Sequence, residues 1–169
     1  MASDGKTPVE TKTPTRSIYV AGKWADRERI HKVIQLLQSF GHRITHDWTQ
    51  VETGTRTLEF NQMCAGLDVK GVLDSDIVIA DMTDPNYRYQ GTCTEIGAAQ
   101  GANMLHELTG FPDSRIEIWY IGELRHGVFF SKCKHFTDWQ QVLRTLHPQT
   151  SFKKLEDEYT EVQRLAGKC

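Results

Sequence analysis

The chain has 169 residues with 22 acidic and 20 basic side chains, a net charge of -2. That length supports one domain with a real core, and the ordinary composition points away from disordered, collagenous and membrane proteins. The charge balance implies no polyanion-binding surface, so polymeric nucleic acid is not an expected partner. Met1 to Arg16 is polar and rich in Thr, Pro and Lys without an apolar core segment, so it reads as a disordered tail rather than a secretion signal, and a cytoplasmic protein is expected. Cys64, Cys93, Cys133 and Cys169 lie far apart with no C-x-x-C pair, which makes reduced thiols the expectation and gives no zinc signature.

In chain order, Ser17 to Ala21 is a short apolar strand, followed by a helix with Ile30, Val33, Ile34, Leu37 and Phe40 at helical spacing and Gly41 as its C-terminal cap. His42 to His46 predicts a second strand, and Asp47 to Thr57 a polar loop over the strand ends, where loops usually touch substrate. Leu58 to Leu73 predicts a helix feeding the apolar strand Ile77 to Ala80, and Asp81 to Gln90 another loop. Thr92 to Met104 follows as a helix, Arg115 to Ile121 as a fourth strand and Gly127 to Phe130 as a fifth. Thr137 to Leu146 is an amphipathic helix, with Trp139, Val142, Leu143 and Leu146 on one face. Phe152 to Ala166 is a last charged helix, with Phe152, Leu155, Tyr159, Val162 and Leu165 spaced to dock on the body or on a second subunit. Strand and helix alternate throughout, which predicts an α/β three-layer sandwich around a parallel five-stranded sheet, one domain over 17–150 with the helix of 151–169 appended. Ligands in such sheets sit beyond the carboxyl ends of the strands.

The segment Gly91-Thr92-Cys93-Thr94-Glu95-Ile96-Gly97 falls at that end and places a carboxylate in the predicted first helical turn. Thr92-x-x-Glu95 matches a capping box, in which both side chains satisfy free amides. The same position suits a nucleophile, because the positive end of the helix dipole favours the ionised carboxylate. Gly91 allows backbone to approach a ligand, and Gly97 allows the helix to pack tightly. Tyr19 and Trp24 suit either the core and rim or ligand contact, and Asp68 is either a helix-surface charge or a site carboxylate. Neither G-x-G-x-x-G nor G-x-x-x-x-G-K-[ST] occurs, which disfavours a dinucleotide cofactor and a P-loop.

Three segments in register, Ser17-Ile18-Tyr19-Val20-Ala21-Gly22-Lys23-Trp24-Ala25-Asp26-Arg27, Asp68 eight residues before Asp76, and Gly91-x-x-x-Glu95-x-Gly97, resemble the nucleoside 2-deoxyribosyltransferase family and the related deoxynucleoside monophosphate N-glycosidases. The resemblance runs from about Ser17 to Met104. It implies a flavodoxin-like fold that needs no cofactor or metal, and a Glu95 that attacks the anomeric carbon of a 2'-deoxynucleoside to give a covalent deoxyribosyl-enzyme resolved by a second base or by water. Tyr19 then orients Glu95, and Asp68 stands beside it at the sugar and leaving base. Gly22, Lys23, Trp24, Asp47, Trp48, Asp81, Tyr89, Gly91 and Thr92 are the expected substrate contacts. The expected partners are a deoxynucleoside or deoxynucleotide and a free nucleobase, with a homo-oligomer as the working unit and no membrane. Positions where the family places an aspartate for the base hold Arg88 and Tyr89, and the asparagine that a neighbouring subunit lends has no counterpart after Gly122. The Phe111-Pro112 insertion and the tail after Leu146 are unmatched. The serine-rich phosphate site of the related monophosphate hydrolases has no obvious counterpart here, though Lys23, Arg27, Thr92, Thr94 and Ser131 could supply donors. A non-catalytic nucleotide-binding module and a TIR-like NAD glycohydrolase are the alternatives.

Overall fold

The protein is described from a computed structural model covering residues 14–52, 54, 56–110 and 115–166; the side chains at 152, 165 and 166 are not described. Most of the predicted tail and the Phe111-Pro112 insertion therefore lie outside the described residues. Five parallel strands, β1 (Ser17–Ala21), β2 (Arg43–Ile44), β3 (Ile77–Met82), β4 (Glu117–Gly122) and β5 (Lys134–Phe136), form one sheet in the order β2-β1-β3-β4-β5. The helices are α1 (Arg27–Ser39), α2 (Leu58–Leu73), α3 (Gln90–Thr109), α4 (Trp139–Leu146) and α5 (Phe152–Ala166). Helix α1 packs with α5, and α5 with α4, while α2 packs with α3. Because a βαβ crossover is right-handed, stepping from β1 outward to β2 and then back to β3 and β4 puts α1 on one face and α2 and α3 on the other.

Every residue of β3 is buried, as a strand covered by helices on both faces requires, and its register sets Tyr19 beside Val78 and Ala21 beside Ala80. The direction of winding reverses between β1 and β3, so the crevice at their carboxyl ends is where a ligand-binding site is expected in this topology. The charged last helix docks on the body through Leu155, Tyr159 and Val162, all buried. No helix among the described residues is long and apolar enough to cross a membrane.

Two elements differ from expectation. Gly127 to Phe130 is not the fifth strand: Val128–Lys132 coils into a 3₁₀ turn that leaves Val128 and Phe129 exposed, and the chain joins the sheet only at Lys134–Phe136. The apolar run drew the sequence reading, whereas the edge strand is marked by alternation, with Phe136 buried and Lys134 lying over the Trp119 ring. Helix α3 begins at Gln90, two residues early, and its N-cap is Tyr89, held in the left-handed region at φ 49°. Thr92 is thus inside the helix and its buried hydroxyl has no partner among the described residues, so there is no capping box, and Glu95 sits in the second turn.

The carboxyl ends of β3 and β4 meet closely at Gly122, where φ is 129° and an added Cβ would lie 2.3 Å from the Met82 carbonyl oxygen. Only glycine fits there, both in backbone conformation and in space.

Candidate active site

Tyr19 points from β1 toward the face carried by α2 and α3, where its ring is fully buried. Its hydroxyl lies 2.6 Å from Glu95 Oε1 on α3 and 3.2 Å from Asp68 Oδ1 on α2. One phenolic proton therefore serves two carboxyls, with the shorter bond to Glu95. Close approach of α2 makes this possible: Gly71, one turn after Asp68, leaves no room for a side chain, since an added Cβ would meet His46 Cβ at 2.7 Å and Tyr19 Cδ2 at 2.9 Å. His46 Nε2 completes the cluster, 3.4 Å from Asp68 Oδ1.

Burial sets the electrostatics. Desolvation pushes the Glu95 carboxyl up to about 7, with the Tyr19 hydrogen bond pulling it down and the Asp68 charge pushing it further up. Asp68 is also raised, again first by burial, with Tyr19 and His46 opposing. The Tyr19 hydroxyl is driven above its ordinary value by burial and by the two carboxylates, so it stays a neutral donor. Glu95 is shifted toward its protonated form, against the ionised carboxylate that the helix start led the sequence reading to expect. Desolvation and a like charge produce that shift. Glu95 of the Tyr19→Phe variant is expected to titrate at higher pH than in the wild type, because the bond that favours the ionised form is gone. In Asp68→Asn it should titrate at lower pH, because the repelling charge is gone. Carboxyl carbon NMR reads both, and shifts of the same sign in the two variants would contradict this account.

Glu95 and Asp68 open onto a cavity of about 310 Å³. Of the residues singled out in the sequence, Gly22, Trp24, Trp48, Tyr89, Gly91 and Thr92 also line it. Trp48 is fixed by donating from Nε1 to the Val20 carbonyl at 2.7 Å, and its ring centroid is 6.0 Å from that of Trp24. Tyr89 is buried, accepts from the Asp84 amide at 2.9 Å and meets the Tyr87 ring edge-on. A Cβ on Gly91 or Gly97 would meet nothing within 4 Å, so tight helix packing is not what Gly97 provides.

Three of the expected contacts lie outside that lining. Lys23 pairs with Asp84 at 2.8 Å and with Asp26 at 3.6 Å. Asp47 accepts from the Thr49 amide and pairs with His31 at 3.0 Å, holding the turn that presents Trp48. Asp81 is 2% exposed beneath the strand ends, where its carboxylate accepts from Arg29 and Trp139 Nε1, both at 2.7 Å, and from the Thr83 hydroxyl at 2.8 Å.

The cavity adds residues that the sequence reading passed over: His46, Val51, Arg56, Phe60, Asn61, Cys64 and Tyr87. Spacing would have found two of them, since Phe60 and Cys64 precede Asp68 by two turns and one turn on the same ridge of α2. Arg56, its guanidinium 4.9 Å from the Trp24 ring centroid, comes from the loop expected to touch substrate but carries no motif. In a larger groove of about 440 Å³ between α3 and β4, Arg115 pairs with Glu107 and Glu117 with Arg16. That groove holds no buried carboxyl pair.

Among solved structures, the chain matches a 2-deoxyribosyltransferase from the psychrotolerant bacterium Bacillus psychrosaccharolyticus, with a TM-score of 0.56 and 20% identity. The match covers 82% of this chain and 95% of that one. What the two share is the fold. No family model matches the sequence, and no curated protein does. This deoxyribosyltransferase-like sheet places Tyr19, Asp68 and Glu95 on three separate elements around one crevice.

Proposed function

We propose that the protein cleaves the N-glycosidic bond of a 2'-deoxynucleoside or its 5'-monophosphate and passes the sugar to another nucleobase or to water. The observation that carries this reading is the Glu95–Tyr19–Asp68 cluster on the wall of a nucleoside-sized cavity. Two carboxyls that share a hydroxyl and repel each other lose their protons in sequence, so over an intermediate pH range one is ionised and the other protonated. Double displacement at a sugar needs that pair of states.

In the proposed mechanism, Tyr19 holds the Glu95 carboxylate in place for attack on C1'. The proton that rests on Glu95 beside a charged Asp68 passes to Asp68 through the Tyr19 hydroxyl that touches both. The C1'–N bond then breaks with its electron pair on the base, and Asp68 gives that proton to the base. The positive charge that develops on the sugar lies against Glu95. In the second half the incoming base or water gives its proton to the Asp68 carboxylate, attacks C1' and releases Glu95, so configuration is retained. Trp24, Trp48, Tyr87 and Tyr89 offer aromatic surface to the base, and Arg56, Asn61 and the unpartnered Thr92 hydroxyl offer donors. No cofactor or metal enters this scheme, and the working unit is a homo-oligomer.

A 2'-fluoro-2'-deoxyarabinosyl nucleoside tests the scheme, because fluorine withdraws electrons from the cationic transition state and slows resolution of the intermediate. Intact-mass analysis is expected to show one added sugar, carried by the peptide that contains Glu95. Inverted product or a label on another residue overturns the mechanism, and ligand-induced stabilisation without cleavage of any deoxynucleoside or monophosphate marks a binding module.

A further inference from the structure

Lys23 lies outside the cavity lining, between two of the loops that wall the cavity. The first loop runs from β1 into α1 and presents Trp24, and the second runs from β3 into α3 and presents Tyr87 and Tyr89. Lys23 opens the 3₁₀ turn Trp24–Asp26, so its backbone adjoins Trp24. Its ammonium crosses to the second loop, where it donates to Asp84 Oδ2 at 2.8 Å and lies 5.7 Å from the centroid of the Tyr87 ring. Asp84 in turn organises that loop. Its Oδ1 accepts from the Asn86 amide at 3.0 Å, its carbonyl accepts from the Tyr87 amide at 3.3 Å, and its own amide donates to the Tyr89 hydroxyl. Behind Lys23, Asp26 pairs with Arg29 and Arg29 with Asp81, so charges alternate from the cavity rim down to the buried floor.

We propose that the Lys23–Asp84 ion pair is a clasp that sets the spacing of the aromatic walls, Trp24 on one loop and Tyr87 with Tyr89 on the other, so that Lys23 and Asp84 are positioning residues for the planar base of the substrate. The inference rests on the reading of the cavity as a nucleoside site. A planar ring gains from aromatic faces only when they are held at contact distance, and loops that must order on binding weaken affinity. The pair is suited to hold that distance. The Lys23 side chain is 15% exposed and that of Asp84 35%, so water and salt screen the pair less than they screen a pair on the open surface. Among the described hydrogen bonds and ion pairs, neither residue contacts Glu95, Tyr19 or Asp68, so the clasp acts on binding and leaves the chemical step alone.

Isothermal titration with adenine, hypoxanthine, thymine and cytosine, together with steady-state kinetics on the corresponding deoxynucleosides, tests this. For the base that binds best, Lys23→Met is expected to raise Kd, and the KM of its deoxynucleoside, about tenfold, while kcat and its pH profile stay within about twofold of the wild type. Asp84→Asn should do the same, and because the amide oxygen still accepts from Asn86 the turn survives, which keeps the test decisive if Lys23→Met fails to fold. Lys23→Asp combined with Asp84→Lys should bind the base more tightly than either single reversal. Wild-type Kd in Lys23→Met and Asp84→Asn, a fall in kcat at unchanged KM, a double reversal no better than the single ones, or binding of none of the four bases overturns the clasp. A loss confined to 5'-monophosphates overturns it too, by making Lys23 a phosphate ligand. Base binding that weakens in the variants while no form cleaves a deoxynucleoside keeps the clasp and removes the reaction, whereas cleavage with a KM indifferent to the variants does the reverse.

Discussion

Glu95→Gln is expected to lower glycosidic turnover ~10³-fold or more while making the folded chain more stable than the wild type above neutral pH. The loss of rate follows from the proposed chemistry, since an amide cannot serve as the nucleophile, whereas its oxygen still accepts from Tyr19. The gain in stability follows from burial. A carboxyl raised from its ordinary value to about 7 in the folded chain holds its proton more tightly there than when unfolded. Its contribution to stability is complete below the unfolded value and is lost as the pH rises toward and past about 7. Above that pH the wild type carries an ionised, desolvated Glu95 against Asp68, a cost on the order of 2–3 kcal/mol that glutamine does not incur. Urea denaturation at pH 5 and pH 8 is the check: the variant's advantage should appear at pH 8 and shrink at pH 5. A variant less stable than the wild type at both pH values, or one that keeps more than a tenth of kcat, contradicts the assignment. Stability given up for a reactive group is common at catalytic sites.

Asp81→Asn is expected to show the opposite profile, costing about 3 kcal/mol of stability, or roughly 10 °C in Tm. Asp81 is nearly fully buried, and desolvation alone would raise it. The hydrogen bonds and charge of Arg29, with Trp139 and Thr83, outweigh that and hold it below the usual carboxylate range. The stabilisation is therefore present above the unfolded carboxylate value and is lost as the pH falls through the lower folded one. Removing the charge leaves the half-buried Arg29 guanidinium with an amide on one side and only Asp26, at 3.1 Å, as its carboxylate partner on the other, so the ion is less fully compensated where water is excluded. Thermal melts at pH 7 and pH 3 should show the difference between variant and wild type large at the first and small at the second. If Asp81 instead binds substrate, the variant's KM rises with Tm unchanged.

Asp81 and Glu95 show where reading a sequence stops. Asp81 and Glu95 both follow an apolar strand, and both were expected at the ligand. What separates them is which groups from distant segments arrive beside them: for Asp81, Arg29 from α1 and Trp139 from α4; for Glu95, Tyr19 from β1 and Asp68 from α2. No local pattern encodes those meetings. Arg56, Asn61 and His46 went unnoticed for the same reason, since each is an ordinary polar residue until the sheet brings three loops around one cavity.

By itself, the sequence determined the alternation of strand and helix, the parallel sheet, the crevice at its carboxyl ends, and the segments that carry Tyr19, Asp68 and Glu95. The first three rest on periodicity and on short-range spacing, which the chain carries locally, whereas Tyr19, Asp68 and Glu95 stood out through the resemblance of their segments to a known family. The edge strand Lys134–Phe136, the start of α3 at Gln90 and the protonation of Glu95 were decided only by the tertiary structure. A three-residue strand exists because β4 is there to pair with it, and a helix can begin at a left-handed tyrosine because packing and the Asp84 amide hold that ring. A carboxyl titrates near neutrality because long-range neighbours exclude water and place a second carboxyl nearby, and that free energy belongs to the assembled site rather than to any stretch of chain.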